Sequence, residues 1–185
     1  MKIYIGKYPK DSTKERKVSI RIDKWDTWNM DHTLAMIILP MLIQLKADTH
    51  GAPNTDDDDV PEELRSTSAP AKENDWDTDE NHFKRWDWIL DEMIWAFGQK
   101  NIENWEEQFY SGKSHTMMQF YDENKQPIGE PVEWDAPRPE KFAHAEMVKG
   151  PNDTFKMDME GLKKHHDRMK NGFRLFGKYY ENLWD

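Results

Sequence analysis

The chain has 185 residues, with 36 acidic against 26 basic side chains, no cysteine and a hydrophobic fraction of 36%. That length is enough to bury a core, and the missing thiols exclude a disulfide framework, a Cys-ligated zinc and a thiol nucleophile. A net charge of -10 argues against duplex nucleic acid as a partner, because such binding needs a basic surface to displace counterions.

Nine Trp, eight Phe and six Tyr offset the low apolar content. They predict a small aromatic, Met-rich core with some rings left for an oligomer interface. The first ten residues lack the apolar centre of a signal peptide. The longest apolar run, residues 34–43, contains Pro40 and falls short of the ~20 residues that span a bilayer. The reading is a soluble intracellular protein, with no membrane partner.

Ile3 and Ile5, then Val18, Ile20 and Ile22, alternate with polar residues and predict two half-buried strands joined by a charged loop. A helix follows over residues 27–46, capped by Asp26 or Asn29. Its apolar side chains lie on nearly every face, which predicts a central buried helix, kinked at Pro40. Residues 51–81 read as a long polar excursion with one helical turn near Pro61. Within it the Asp56–Asp59 run lacks the donor spacing of a calcium loop and reads as a solvated, self-repelling segment.

A second helix is expected to start at a capping box of Asp77 and Glu80 and to run to Phe97, with Trp86, Ile89, Leu90, Met93, Ile94 and Phe97 on one stripe. Residues 111–156 form a second polar insertion, in which residues 118–121 and 131–134 are expected to pair as a hairpin. Residues 155–157 suggest a short strand before an Asp158 cap. In the last helix Leu162, His166, Met169, Phe173, Phe176, Tyr180 and Leu183 form a heptad seam flanked by Lys and Arg. The sum is a single α+β domain over residues 1–185: three main helices, a small antiparallel sheet and two long polar insertions. The expected assembly is a homo-oligomer held by this seam or by exposed rings of the second helix; the alternative is a seam packed wholly inside the protomer.

Catalytic patterns are thin. Asp31-His32 and His165-His166-Asp167 invite a metal, and Asp87, Asp91 and Glu92 resemble the acidic helical pairs of nucleotide pyrophosphohydrolases. Neighbouring helical residues point about 100° apart, however, and the second acidic pair is missing. There is no Gly-rich phosphate loop, no Gly-x-Ser-x-Gly and no His-Glu-x-x-His. No catalytic residue, metal ligand or cofactor is therefore assigned. The candidate ligand site combines rings with cations: Arg21, Trp25, Trp28 and His32 as one wall, and Arg174, Lys178 and Tyr179 as the other, provided the first and last helices pack side by side.

Three stretches, WDTWNMDHTLAMIILPMLIQLKADTHGAP, FKRWDWILDEMIWAFGQ and KGPNDTFKMD with NGFRLFGKYYENLWD, resemble a family of small proteins of tailed bacteriophages, large marine and T4-like ones among them. The resemblance implies the cytoplasm of an infected bacterium, or the virion, and supplies no catalytic residues. With the rings and cations it leads to an expected non-enzymatic protein that sequesters a small anionic ligand, such as a nucleotide second messenger of host immunity, as a counter-defence factor. The alternatives are a virion-associated or host-protein interaction protein and, third, a metal-dependent nucleotide phosphohydrolase.

Overall fold

A computed structural model describes residues 1–11 and 13–184. The described residues form two compact units, one of residues 1–103 with 166–184 and one of residues 104–165, where the sequence reads as a single domain with two excursions. The α+β class holds, with three long helices and small antiparallel sheets.

The first unit opens with β1 (Lys2–Ile5) and β2 (Val18–Arg21), paired antiparallel so that Ile3 faces Ile20 and Ile5 faces Val18. The alternation is as expected but the burial is not, since every residue of both strands is exposed. A two-stranded ribbon is only marginally stable alone, and this one turns its apolar face outward.

A 3₁₀ turn, Lys24–Thr27, leads to α1 (Met30–Asp48). Asp26 caps the turn rather than the helix, in a capping box with Asp23. Asn29 holds the α1 N-cap position without a side-chain bond. Contrary to the expected buried helix, only Ala35 and Leu42 of α1 are fully buried, one helical repeat of seven apart on a single line. Ile38, Leu39 and Leu45 pack partly beside them. Apolar residues on every side give no direction from sequence alone; the packing chooses one side and leaves the other bare.

The second helix, α2 (His82–Lys100), starts after the expected Asp77–Glu80 box, at Asn81. Its stripe of Trp86, Ile89, Leu90, Met93 and Phe97 forms the centre of the core with Ala35, Leu42, Val60, Leu175 and Tyr179. Helices α1 and α2 run antiparallel: Lys100 at the end of α2 binds Asp31 at the start of α1 at 2.6 Å, and Lys46 near the end of α1 pairs with Asp91.

The 51–68 segment is firmly tied down by three short 3₁₀ turns and by polar residues of α2. His82 Nε2 donates to the Ala52 carbonyl at 3.1 Å, Asn81 Nδ2 to the Glu63 carbonyl at 3.2 Å and Arg85 Nη1 to the Leu64 carbonyl at 3.2 Å.

In the second unit β3 (Tyr110–Ser111) awaits a partner from much later in the chain. Next, β4 (Thr116–Tyr121) pairs with β5 (Val132–Glu133), matching the expected hairpin, and with β6 (His144–Lys149), which the sequence did not reveal. The partner of β3 is β7 (Lys156–Met157), the short strand expected before the last helix. At Gly112, with φ +77°, a side chain would press into the Thr154 backbone, so glycine serves both the turn and the close approach.

The last helix, α3 (Met159–Lys178), opens on Asp158, whose Oδ1 accepts from the Gly161 N–H at 2.9 Å. Its buried line is rotated from the expected seam. Met169, Gly172, Leu175 and Tyr179 are buried, whereas His166 and Tyr180 are exposed. His165 is the inward histidine, stacked on Trp105 with centroids 4.7 Å apart and planes 11° apart.

Candidate interaction surface

The two groups of expected ligand residues meet different fates. Arg174, Lys178 and Tyr179 do come together, but on a carboxylate of the chain itself. Asp59 is buried, and its Oδ2 accepts from the Tyr179 hydroxyl at 2.7 Å while Oδ1 pairs with Arg174 at 2.7 Å. Lys178 pairs with both Asp59 and Asp56, and the Asp56 N–H donates to the Tyr179 oxygen at 3.0 Å. The run read as solvated and self-repelling is so only in part: Arg174 and Lys178 of α3 pair with Asp56 and Asp59, while Asp58 stays exposed. Burial raises the Asp59 carboxyl, but Lys178, Tyr179 and Arg174 outweigh it and hold the group below the ordinary carboxylate range. An incoming anion would have to displace a carboxylate already desolvated and triply bonded.

Arg21, Trp25, Trp28 and His32 lie at the other end of the first unit's sequence. Among the described residues, no hydrogen bond, ion pair or ring contact joins them to Arg174, Lys178 or Tyr179. Arg21 is exposed on β2, opposite Lys2. His32 is half-buried and structural, its Nδ1 donating at 2.9 Å to the Lys100 carbonyl, which caps the end of α2. Trp25 and Trp28 are presented to solvent, 65% and 82% exposed, by the capped turn: Asp23 accepts from the Trp25 N–H at 3.1 Å and Asp26 from the Asp23 N–H at 2.7 Å. Their ring centroids are 6.1 Å apart at 45°, and Lys24 Nζ lies 4.9 Å from the Trp25 centroid.

The turn leads into the bare side of α1, a helix whose sequence pattern points to the core. Met30, Leu34, Met36, Met41 and Ile43 are exposed there, and no charged residue occurs from His32 to Leu45. With a third of all residues charged, a stretch of that length without a charge is a usable signal that this side is reserved for contact. The flanking charge is uneven. Residues 1–50 carry nine Lys and Arg against six Asp and Glu, whereas residues 51–103 carry five against fifteen.

The residues considered for catalysis are engaged otherwise. Asp31 binds Lys100, Asp91 binds Lys46, and Glu92 takes a two-pronged bond from Arg168 at 2.7 and 3.0 Å. Among the described residues, no group of three or more His, Asp or Glu is arranged to hold a metal ion. A cleft in the second unit, lined by Asp122, Glu123, Glu140, Lys141 and Phe142, sets three carboxylates against one ammonium and so does not suit an anion. A scan against protein-family models and searches of curated proteins and solved structures gave no match, and the functional reading rests on this geometry.

Proposed function

We propose that the chain is a phage interaction protein, virion-associated or directed at a host protein in the infected cytoplasm, and that it works through the surface of β1, β2, the 24–27 turn and α1. The observation that carries this is the uncharged, solvent-facing side of α1. An apolar helix face with Leu34, Met36, Met41 and Ile43 in water costs free energy unless a partner covers it. Trp25, Trp28 and the methionines are also the residue types that concentrate binding energy and adapt to a partner's shape. The test is co-purification of particles or an identified host protein with the wild type and with a Leu34→Lys/Met41→Lys variant. Loss of the partner with the fold retained supports docking through α1; equal recovery refutes it.

A second reading has its own observation. The Trp25–Trp28 pair with Lys24 over one ring offers stacking faces beside a cation, chemistry that suits a nucleotide-like anion held without turnover. Arg21 and Lys24 supply its charge, since the Arg174 and Lys178 cations are spent on Asp56 and Asp59. A thermal-shift screen against linear and cyclic nucleotides decides: a ligand at 100-fold over its dissociation constant adds about 2.7 kcal/mol. A melting point unmoved by any nucleotide removes this reading.

A further inference from the structure

We infer that the partner docks in part by adding an extended acidic segment as a third strand along the free edge of β2. The inference rests on the docking reading and adds the chemistry of the partner. The ladder decides which backbone groups are free. Gly6 N–H donates to the Lys17 carbonyl at 2.8 Å, which makes the adjoining Ile5–Val18 a pair without mutual hydrogen bonds; Ile3–Ile20, two residues on, is the same. Residues of such pairs aim their N–H and C=O away from the strand opposite. Val18 and Ile20 therefore present two donors and two acceptors along the outer edge of β2. Among the described residues no backbone bond reaches that edge, and the sheet ends there. A bare edge is a template for a further strand.

Charge selects the occupant. Residues 1–24 carry eight Lys and Arg against three Asp and Glu, a net of +5 in a chain of net -10. Lys17 and Arg21 flank the two outward-facing residues of β2; both are exposed and, among the described residues, in no ion pair. An antiparallel second copy of β2 would set Lys17 against Arg21, and a parallel one would set like against like, so the copy is repelled. Its β1 offers no carboxylate either. Nucleic acid or lipid headgroups would meet the cations but not the alternating N–H and C=O groups, which a peptide backbone matches. Side chains alternate across the ribbon, with Ile3, Ile5, Val18 and Ile20 on one face and Lys17 and Arg21 on the other. The matching segment therefore reads acidic, apolar, any, apolar, acidic. Its apolar residues lie opposite Val18 and Ile20 and its carboxylates opposite Lys17 and Arg21. The added strand also widens an apolar face that two strands alone leave in water.

The probe is a synthetic peptide with the core Glu-Val-Thr-Val-Glu, titrated into the ¹⁵N-labelled protein. Saturable shifts of the Val18 and Ile20 amide signals are expected. Lys17→Glu/Arg21→Glu should weaken binding about tenfold, and a Lys-Val-Thr-Val-Lys peptide should regain it on that variant alone. N-methylation of both peptide valines, whose N–H groups face β2, should abolish binding; methylation of the threonine, whose N–H faces away, should not. Ile20→Pro removes an outward N–H and spares the ladder to β1, so it should lose the peptide with circular dichroism unchanged. Where that variant unfolds the ribbon, the methylated peptides decide alone. No saturable shift with peptide up to about 1 mM overturns the inference. So does equal binding of the valine-methylated peptide, or equal binding of the acidic and lysine peptides by the wild type. An oligothymidylate or phosphatidylglycerol vesicles that shift these amides where the acidic peptide does not also overturn it. The docking reading fails separately: Leu34→Lys/Met41→Lys keeping every wild-type partner refutes docking through α1, whether or not the peptide binds.

Discussion

The Tyr179 hydroxyl donates a 2.7 Å hydrogen bond to the buried Asp59 carboxylate, closing 120 residues of chain. The same hydroxyl accepts from the Asp56 N–H, so one phenol holds both ends of the acidic run. Tyr179→Phe keeps the ring against Trp86 but leaves a buried carboxylate oxygen and an amide short of a partner. A loss of about 1–3 kcal/mol is expected, read as a lower melting temperature. Burial, then the bond to Asp59, pushes the Tyr179 phenol up to about 12, against about 10 in the unfolded chain. A raised folded value means the contribution is whole below about pH 10 and is lost as pH climbs toward 12. Lys178, raised by Asp56 and Asp59, adds to the same alkaline limb. Melting from pH 8 to 12 should show that limb shrink in Tyr179→Phe.

Arg85 and Asp79 set the acid limb. The guanidinium grips the carboxylate with two parallel bonds of 2.8 and 2.7 Å, and Arg85 is buried. The bond from Arg85 holds the Asp79 pKa down to about 2, although burial works the other way. A depressed folded value gives stability that is full above about pH 4 and is lost as pH falls toward 2, amounting to about 2 kcal/mol. Asp79→Asn should flatten that fall. At neutral pH it should cost about 3–5 kcal/mol, because it leaves a guanidinium buried without its counter-charge. Acid titration of the melting point checks both.

How far the fold was legible follows from where each element's information resides. The α2 stripe was legible because Trp86, Ile89, Leu90 and Met93 recur at helical spacing and face one core, while Asp87 and Asp91 between them stay exposed. For α1, hydrophobicity alone could not say which side was covered, and the bare side became the candidate surface. The β6 strand hid because Val148 directly after Met147 breaks the short alternation begun by His144, Ala145 and Glu146, and Met147 lies exposed. Just past α3 the adjacent rings of Tyr179 and Tyr180 fit two continuations of its seam about 100° apart, and the buried carboxylate of Asp59 selects Tyr179. Four consecutive aspartates read as solvated because Arg174 and Lys178 lie more than 110 residues away, a pairing that only tertiary structure supplies.

Two glycines of α3 should respond to alanine with opposite signs. At Gly172 a Cβ would stand 2.6 Å from the Glu92 carbonyl oxygen and collide with the Ala96 methyl, where α3 crosses α2. That backbone cannot retreat as a side-chain tip would, so Gly172→Ala should cost about 1–3 kcal/mol by overpacking. Gly177 has nothing within 4 Å of the same atom. There the helical preference for alanine stands unopposed, and Gly177→Ala should stabilise by about 0.5–1 kcal/mol. Denaturant midpoints of the two variants measured side by side test the crossing.

Trp28 and Trp86 separate binding from stability. Trp86 is 1% exposed and packs edge-on to Tyr179 with centroids 5.8 Å apart, so Trp86→Ala should cost about 3–5 kcal/mol. Trp28 is 82% exposed and its ring meets only Trp25 among the described aromatic pairs, so Trp28→Ala should leave folding stability within about 0.5 kcal/mol. If the N-terminal surface is the working one, the same substitution should weaken partner or ligand binding by at least tenfold, the ~1.4 kcal/mol expected of a central aromatic anchor. Chemical denaturation supplies the first number, and titration of the partner, or of the nucleotide found in the thermal screen, supplies the second. A Trp28→Ala protein that folds and binds like the wild type would take the Trp25–Trp28 pair out of the site and leave α1 alone to account for the contact.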